Sequence, residues 1–360
     1  MSQIPSLPKT GEILAGRYRI ENVVGSGAMG CVFSGIDKNV ERKVAIKVLA
    51  PALSGDENNH RRFAREARVT RQLSHPNTIR IYDYGHTERN LPYIVMEFLK
   101  GDALDEYLKQ NGPLSLERAV PVARQVLSSI ADAHENRVIH RDLKPANIML
   151  CQLGGQQDFP KVLDFGIAKV VDACREGGSL NTFSGLVIGS PVFMSPERIR
   201  GEALSPASDL FSFGLIFSEM LSGESLYPGL KPIEVLARHM EPTPIPLPAA
   251  IRKGPFRELI EKAVDKDLGN RYQSAVELID DLHRYAKEAG IKLDITGEVS
   301  TSYNLSEAEG RRRNVTITEQ VQSIRSSGGT HNTLVYVLFT LVVILAFAVV
   351  ILLTMLPGNS

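Results

Sequence analysis

The sequence predicts an α+β fold in which a small strand-rich lobe precedes a larger, mostly helical lobe. Residues 17–49 alternate apolar and polar side chains with glycines between them, a pattern typical of strands and turns. From Ala103 onward the apolar residues recur at helical spacing, as in ALDEYLKQ. A third segment, residues 334–356, has no charged residue, so we expect one transmembrane helix after the two lobes.

Changes in composition divide the 360-residue chain into six predicted segments. Apolar periodicity is lost after residue 286, where Ser, Thr, Gly and charged residues indicate a flexible linker. We expect an N-terminal extension over residues 1–17, a strand-rich lobe over 18–100, a helical lobe over 101–286, a juxtamembrane linker over 287–333, a transmembrane helix over 334–356 and a short tail over 357–360.

The apolar segment over residues 334–356 predicts a membrane anchor. At about 1.5 Å of rise per residue, a helix of this length could cross a hydrocarbon core of roughly 30 Å. Arg311, Arg312, Arg313 and Arg325 precede the segment, and basic residues favour the cytoplasmic side. We therefore expect a single-pass membrane protein that contacts the lipid bilayer through this segment and keeps its folded lobes in the cytoplasm, at the plasma or inner membrane if the source is bacterial.

The overall charge and the cysteines exclude several classes of function. Lys and Arg number 41 and Asp and Glu number 41, so no net positive charge favours nucleic-acid binding. The three cysteines have no metal-ligand spacing, and so sparse a set is typical of a reducing compartment. The N-terminus lacks the long apolar core of a signal peptide.

Longer patterns place the remaining elements. Apolar spacing predicts a helix over residues 57–73, strands over 79–85 and 91–99, a long helix near 115–137 and further helical stretches around 208–222 and 255–287. We find no internal repeat. The predicted junction between the lobes lies near residues 97–102.

A glycine-rich stretch, VVGSGAMGCV, supplies Gly25, Gly27 and Gly30 in the order G-x-G-x-x-G, followed by Val32. Glycines let backbone amides approach phosphates without a side-chain clash. A dinucleotide-binding turn would open a helix, whereas the residues after Gly30 continue as a strand. The pattern alone is weak, but it favours a glycine loop between two strands.

The strand KVAIKVL places Lys47 among apolar neighbours. Ala45, Lys47 and Leu49 share one face of this strand, and the alternate residues share the other. Taken alone, Lys47 fits a snorkelling edge lysine better than a functional group. In the following helix Glu66 falls on the predicted inner face with Phe63, which makes it the natural partner of an inward-facing lysine.

Further motifs follow in a fixed order. They are HRDLKPAN at residues 140–147, DFG at 164–166, SPE at 195–197, SDLFSFG at 208–214 and a lone arginine, Arg271. With the glycine loop and VAIK, this order and spacing resemble the eukaryotic-type (Hanks-type) serine/threonine protein kinases in a membrane-anchored, bacterial-like form. The resemblance covers roughly residues 18–286. It implies a bilobal protein kinase fold, with an antiparallel-sheet N-lobe and a mostly helical C-lobe.

The resemblance implies transfer of the ATP γ-phosphate to serine and threonine hydroxyls of proteins. Such chemistry needs positioning and charge neutralisation more than covalent catalysis. Asp142 would accept the proton of the substrate hydroxyl and Lys144 would neutralise the transferred phosphate. Lys47 would bind the α- and β-phosphates, held there by Glu66.

The same resemblance implies ATP and Mg²⁺, with Mn²⁺ as an alternative metal. Asn147 and Asp164 would be the metal ligands, since Mg²⁺ prefers oxygen. The nucleotide-binding residues would line the glycine loop and the adenine pocket: Gly25, Ser26, Gly27, Ala28, Met29, Gly30, Val32, Ala45, Lys47, Met96, Glu97, Leu99 and Met149.

Residues 164–197 would form an activation segment rich in hydroxyl residues. We expect autophosphorylation at Thr182 and Ser184; the alternative interpretation is that both are ordinary polar residues of a loop. Arg141 precedes Asp142, and a cation there calls for an anionic partner such as a phosphate. Phosphorylation in trans would need a kinase dimer.

Three structural features are also expected. Glu197 should pair with Arg271, Asp209 should anchor the catalytic loop, and residues 151–160 should form a surface β-turn insertion. The main alternative function is a membrane-tethered pseudokinase or ATP-binding scaffold, which would typically lack Lys47, Asp142 or Asp164. A small-molecule phosphotransferase fits the SPE segment less well.

Overall fold

The computed structural model describes six stretches of the chain, all within the first of its two compact units, Met1–Val299. They are residues 7–27, 30–50, 63–64, 67–153, 155–165 and 191–292. No helix in these stretches is long and apolar enough to cross a membrane. The predicted transmembrane helix over 334–356 lies outside them.

Antiparallel strands form the first lobe, as the alternating pattern predicts. The six strands are β1 (Ile13–Leu14), β2 (Tyr18–Gly27), β3 (Gly30–Asp37), β4 (Arg42–Leu49), β5 (Ile81–His86) and β6 (Pro92–Glu97). They lie in the order β1-β2-β3-β4-β6-β5, so β4, which carries Lys47, is flanked by partners on both sides.

The two faces of β4 pack against different groups, as the sequence predicts. Val44, Ile46 and Val48 are fully buried in one apolar cluster. Leu49 lies on the other face, in a second cluster that includes the buried Phe63. Lys47 shares that second face and is only 8% exposed, so its ammonium group is nearly enclosed in the protein.

Helices dominate the second lobe. Those in the described residues are α1 (Leu104–Asn111), α2 (Leu116–Glu135), α3 (Pro196–Arg200), α4 (Pro206–Ser222), α5 (Pro232–Met240), α6 (Ala249–Lys253), α7 (Arg257–Ala263) and α8 (Ala275–Glu288). Helix α4 is apolar on almost every side and forms the centre of the core, with Phe213 and Phe217 fully buried. An αL glycine, Gly223, ends it.

The helical lobe also contains a small sheet, which the sequence patterns do not predict. It joins β7 (Gly101–Ala103), β8 (Ile148–Leu153) and β9 (Gln156–Val162) in an antiparallel arrangement. Gly101 has φ 157°, and a Cβ there would lie 2.1 Å from the Leu150 carbonyl oxygen, so the close pairing requires glycine. The hairpin between β8 and β9 accounts for the expected β-turn insertion at 151–160.

The helical stretch predicted around 255–287 is interrupted in the structure. Helix α7 ends at Ala263, and the chain passes through a 3₁₀ turn at Leu268–Asn270 before α8 begins. The interruption turns Arg271 into the core, where it is 2% exposed. The short helices α3, α5 and α6 were also not predicted, because each is too short for apolar periodicity to identify.

One of the buried histidines of the helical lobe lies on α5. His239 on α5 is 1% exposed and packs against the rings of Phe211 and Tyr227, with centroids 5.8 and 5.4 Å away. Burial, reinforced by the charge of Lys266, lowers the pKa of His239 to about 4. The imidazole is therefore neutral in the folded protein at physiological pH.

Candidate active site

The loop between α2 and β8 is held in place by one buried carboxylate. Asp209 on α4 accepts hydrogen bonds from the backbone amides of His140 and Arg141, at 2.8 and 2.9 Å, and from the His134 ring at 2.8 Å. Burial would raise the pKa of Asp209, but these interactions, led by His134, hold it below the usual range. Asp209 therefore anchors the loop as an anion, as expected.

Asp142 occupies the centre of this loop. Lys144 Nζ lies 2.7 Å from its Oδ2, and the Asn147 side-chain amide donates to its backbone carbonyl at 2.7 Å. Burial would raise the pKa of Asp142, but the charge of Lys144 and then of Arg198 hold it below the ordinary value. The carboxylate is thus an anion, with acceptor sites beyond those its two cationic partners use.

Lys47 meets Asp164 across the boundary between the sheet lobe and the helical lobe. The ammonium nitrogen lies 2.6 Å from Asp164 Oδ2, although the two residues are 117 positions apart. Asp164 adopts φ 57°, an uncommon conformation for a non-glycine residue. Glu66, the partner predicted for Lys47, lies outside the described residues.

Two oxygen ligands, one in this ion pair and one on the loop that carries Asp142, suit a hard cation. Asp164 supplies a carboxylate, and Asn147 supplies an amide oxygen whose direction is set because its nitrogen donates to Asp142. Mg²⁺ in phosphotransfer sites is typically held by one or two such protein oxygens together with substrate phosphates and water. The residues present therefore fit a divalent metal.

The glycine loop is a strand hairpin, as the sequence predicts. Gly25, Ser26 and Gly27 end β2 and Gly30 begins β3, while Ala28 and Met29 lie outside the described residues. Gly30 has φ 139°, and a Cβ there would lie 2.1 Å from the Val48 carbonyl oxygen. Only glycine therefore fits at this position.

The residues predicted to contact adenine occupy matching positions on neighbouring strands. Val32 pairs with Lys47, and Ala45 pairs with Met96, so these side chains share one face of the sheet. Glu97 ends β6 and Leu99 follows it. From the other lobe the half-buried Met149 on β8 supplies the remaining predicted residue.

A partly buried ion pair beside this region is not indicated by the sequence patterns. Lys161 Nζ lies 2.6 Å from Glu97 Oε1 and donates to the Thr78 carbonyl at 3.4 Å, and Lys161 is 4% exposed. The pair links the end of β6 to β9, the strand that leads to Asp164. The only available signal was a lysine three residues before Asp164 in a strand of apolar residues.

The SPE motif is held in place by the predicted ion pair between Glu197 and Arg271. Arg271 donates from both terminal nitrogens to Glu197, each at 2.9 Å, with side chains 0% and 4% exposed. Burial would raise the pKa of Glu197, but the Arg271 hydrogen bond holds it low. The residues predicted for phosphorylation, Thr182 and Ser184, lie outside the described residues.

A second arginine, Arg198, contacts the catalytic loop and was not singled out in the sequence. Its Nη1 lies 3.3 Å from Asp142 Oδ1 and also donates to the Arg141 carbonyl. Since Asp142 and Arg198 are 56 positions apart, no local pattern could have indicated this contact.

Comparisons with known proteins agree with this geometry. The family model for the protein kinase domain matches residues 18–284. The chain is 38% identical over 282 residues to serine/threonine-protein kinase pkn3 of Myxococcus xanthus, covering 77% of this chain and 51% of that protein. It is 37% identical over 271 residues to serine/threonine-protein kinase PknA of Mycobacterium tuberculosis, covering 74% and 61%.

Solved structures show the same fold. The crystal structure of the Mycobacterium tuberculosis PknI kinase domain matches with a TM-score of 0.60 at 22% identity, covering 78% of this chain and all of that one. The chain spans about half the length of the curated relatives it matches. Because the family match extends across both lobes, from the glycine loop to α8, the chain belongs to the protein kinase domain family.

Proposed function

We propose that the protein is a serine/threonine kinase that transfers the γ-phosphate of ATP to hydroxyl groups of proteins. The observation that carries this proposal is the catalytic loop, where Asp142 is held as an anion beside Lys144 and Asn147. Relatives named as serine/threonine kinases support it, since they match both lobes at 37–38% identity.

The residues of the site account for each part of the reaction. Asp142 orients the attacking hydroxyl and takes up its proton as the oxygen bonds to the γ-phosphorus and the bond to the leaving ADP breaks. Lys144 neutralises the phosphoryl group in transit. The Lys47 ammonium has three donors, so its contact with Asp164 leaves others for the α- and β-phosphates.

Mg²⁺, with Mn²⁺ as the alternative, would be held by Asp164 and Asn147 and would neutralise charge on the phosphates. The adenine would lie between the Val32 and Ala45 face of the sheet and Met149. These assignments predict that Asp164→Asn lowers metal affinity, which metal titration of the nucleotide complex measures.

Phosphoamino-acid analysis tests the proposed activity. The purified full-length protein, a generic basic protein and labelled ATP should give phosphoserine and phosphothreonine, and Lys47→Met should give neither. Phosphotyrosine alone would contradict the specificity. A wild-type signal no higher than that of Lys47→Met would indicate the pseudokinase or scaffold.

We propose that the kinase phosphorylates itself in trans, within a dimer, at Thr182 and Ser184. The support is the position of Arg141, which precedes Asp142 and could receive a phosphate. Mass spectrometry of active protein against the Asp142→Asn variant should find phosphate at these sites only in the active protein. Absence of phosphate from both sites would refute this proposal.

We propose that residues 334–356 anchor the protein in a membrane with the kinase domain in the cytoplasm. The support is the uncharged apolar sequence and the basic residues before it. The full chain should resist carbonate extraction from membranes, whereas a chain ending at residue 333 should not. Equal extraction of both would rule out this anchor.

A further inference from the structure

Arg198 connects the SPE helix to the catalytic loop. It lies on α3, directly after the paired Glu197, and its side chain is 16% exposed. Its Nη1 lies 3.3 Å from Asp142 Oδ1 and donates to the Arg141 carbonyl. The guanidinium therefore contacts both the backbone and the carboxylate at the centre of the loop.

The backbone that Arg198 contacts is in an uncommon conformation. Arg141 has φ 70°, in the left-handed region that non-glycine residues rarely adopt. Its amide donates to Asp209 at 2.9 Å, and its carbonyl accepts from Arg198. Charged side chains thus hold the residue before Asp142 from both sides, and each interaction opposes relaxation of this peptide.

The residue before Arg198 in α3 is itself held in place by a buried ion pair. Glu197 is bound by two hydrogen bonds to Arg271, whose side chain is fully buried and also donates to the backbone carbonyls of Asp265 and Lys266. Because Glu197 and Arg198 are adjacent in α3, this pair also fixes the position from which the Arg198 side chain extends. The guanidinium therefore links the core of the helical lobe to the loop that carries Asp142.

The contacts on Asp142 divide between its two oxygens. Lys144 lies 2.7 Å from Oδ2, and Arg198 lies 3.3 Å from Oδ1. The Asn147 side-chain amide also donates to Oδ2, at 3.4 Å. A carboxylate has about four acceptor sites, so these three contacts leave room for a substrate hydroxyl. Lys144 lies on the same loop as Asp142, whereas Arg198 lies on a separate helix and can fix the direction of the carboxylate relative to the helical lobe.

We propose that Arg198 is a positioning residue for phosphoryl transfer, holding the Asp142 carboxylate and the Arg141 peptide in the geometry that the hydroxyl needs. This inference rests on the proposed role of Asp142 as the proton acceptor. The contacts of Arg198 in the described residues are with Asp142 and the Arg141 carbonyl, and not with the residues assigned to the nucleotide or the metal. Its loss should therefore lower kcat and spare nucleotide binding.

The test compares Arg198→Met and Arg198→Lys with the wild type in the full-length protein. Arg200→Met is the matched control, since Arg200 lies on the same helix and its partner is the exposed Glu202 at 3.1 Å. We expect kcat of Arg198→Met to fall roughly 10- to 100-fold, the loss associated with one charged hydrogen bond, with KM for ATP within about twofold. Arg198→Lys should recover part of that loss, and Arg200→Met should match the wild type.

Hydrogen exchange supplies a readout independent of activity. Amides of residues 140–142 should exchange faster in Arg198→Met than in the wild type, while residues of α4 keep their protection. If Arg198→Met folds poorly, the partial loss in Arg198→Lys and its exchange pattern decide the question.

Three results would overturn the proposal. The first is an unchanged kcat in Arg198→Met, and the second is a raised kcat, which would make Arg198 an inhibitory contact. The third is an equal loss of kcat in the Met and Lys variants together with a higher KM for ATP. Asp142→Asn separates this inference from the role of Asp142. If Asp142→Asn is inactive and Arg198→Met is fully active, only the role of Arg198 fails. If Asp142→Asn remains active, the role of Asp142 fails first.

Discussion

The buried pair between Glu197 and Arg271 allows a quantitative test of what holds the helical lobe together. Replacing Arg271 by Met removes two hydrogen bonds of 2.9 Å and leaves a carboxylate that is 4% exposed without its counter-charge. Removing one partner of a buried pair typically costs about 3–5 kcal/mol. Because neither side chain is exposed, solvent screening reduces this cost little.

The expected shift in melting temperature follows from that free energy. A domain of this size loses about 2–4 °C per kcal/mol, so Arg271→Met should lower Tm by roughly 6–20 °C. The chain has no tryptophan, so far-UV circular dichroism of the full-length protein is a suitable measurement. Removing both charges, as in Glu197→Leu with Arg271→Met, should cost less than the single change, because no charge remains buried and unpaired.

The double variant is also the control. If Arg271→Met costs less than about 1 kcal/mol, the pair contributes no more than an exposed one would. If the double variant is as unstable as the single variant, loss of packing and not the unpaired carboxylate is responsible. Either result would refute the electrostatic explanation.

Three further predictions follow from the geometry. Between pH 6.5 and about 4, protons bind His239 in the unfolded chain but not in the folded one, so the free energy of unfolding falls as pH falls. This dependence is at most about 1.4 kcal/mol per pH unit. Urea titrations at several pH values should show a smaller dependence in His239→Leu. Lys161→Met should raise KM for ATP roughly fivefold with little change in kcat, because the ion pair that holds Glu97, worth about 1 kcal/mol, is lost. A fall in kcat alone, measured by steady-state kinetics, would contradict this prediction. Gly30→Ala should destabilise the fold by about 1–3 kcal/mol, since its Cβ would meet a backbone carbonyl at 2.1 Å, whereas Gly25→Ala, with open space around it, should leave Tm unchanged.

The sequence predicts best what depends on local periodicity. The strands of the first lobe and the two faces of β4 were predicted, because alternation with a period of two determines which side chains are buried. The family resemblance added the Glu197 pair with Arg271 and the anchoring role of Asp209, both confirmed by the contacts. Glu66, Thr182, Ser184 and the transmembrane segment remain predictions.

Long-range contacts were harder to predict. The pairing of Lys161 with Glu97 spans 64 positions and depends on how β9 lies against β6, which periodicity does not specify. The contact of Arg198 with Asp142 depends on the placement of α3, a helix too short to leave a periodic signal. The break in the predicted 255–287 helical stretch likewise brings Arg271 to Glu197. This tertiary contact overrides the local helical preference, so local periodicity could not predict the break.

The proposed role of Asp142 is tested most directly by the rate of phosphoryl transfer in Asp142→Asn. Asp158→Asn is the matched control, because Asp158 is also an aspartate with a cationic partner, Arg118, but it lies on β9 away from the loop. At saturating ATP and Mg²⁺, kcat of Asp142→Asn should fall roughly 10²- to 10⁴-fold, and Asp158→Asn should keep the wild-type rate. A rate for Asp142→Asn within about twofold of the wild type would contradict general-base catalysis by Asp142.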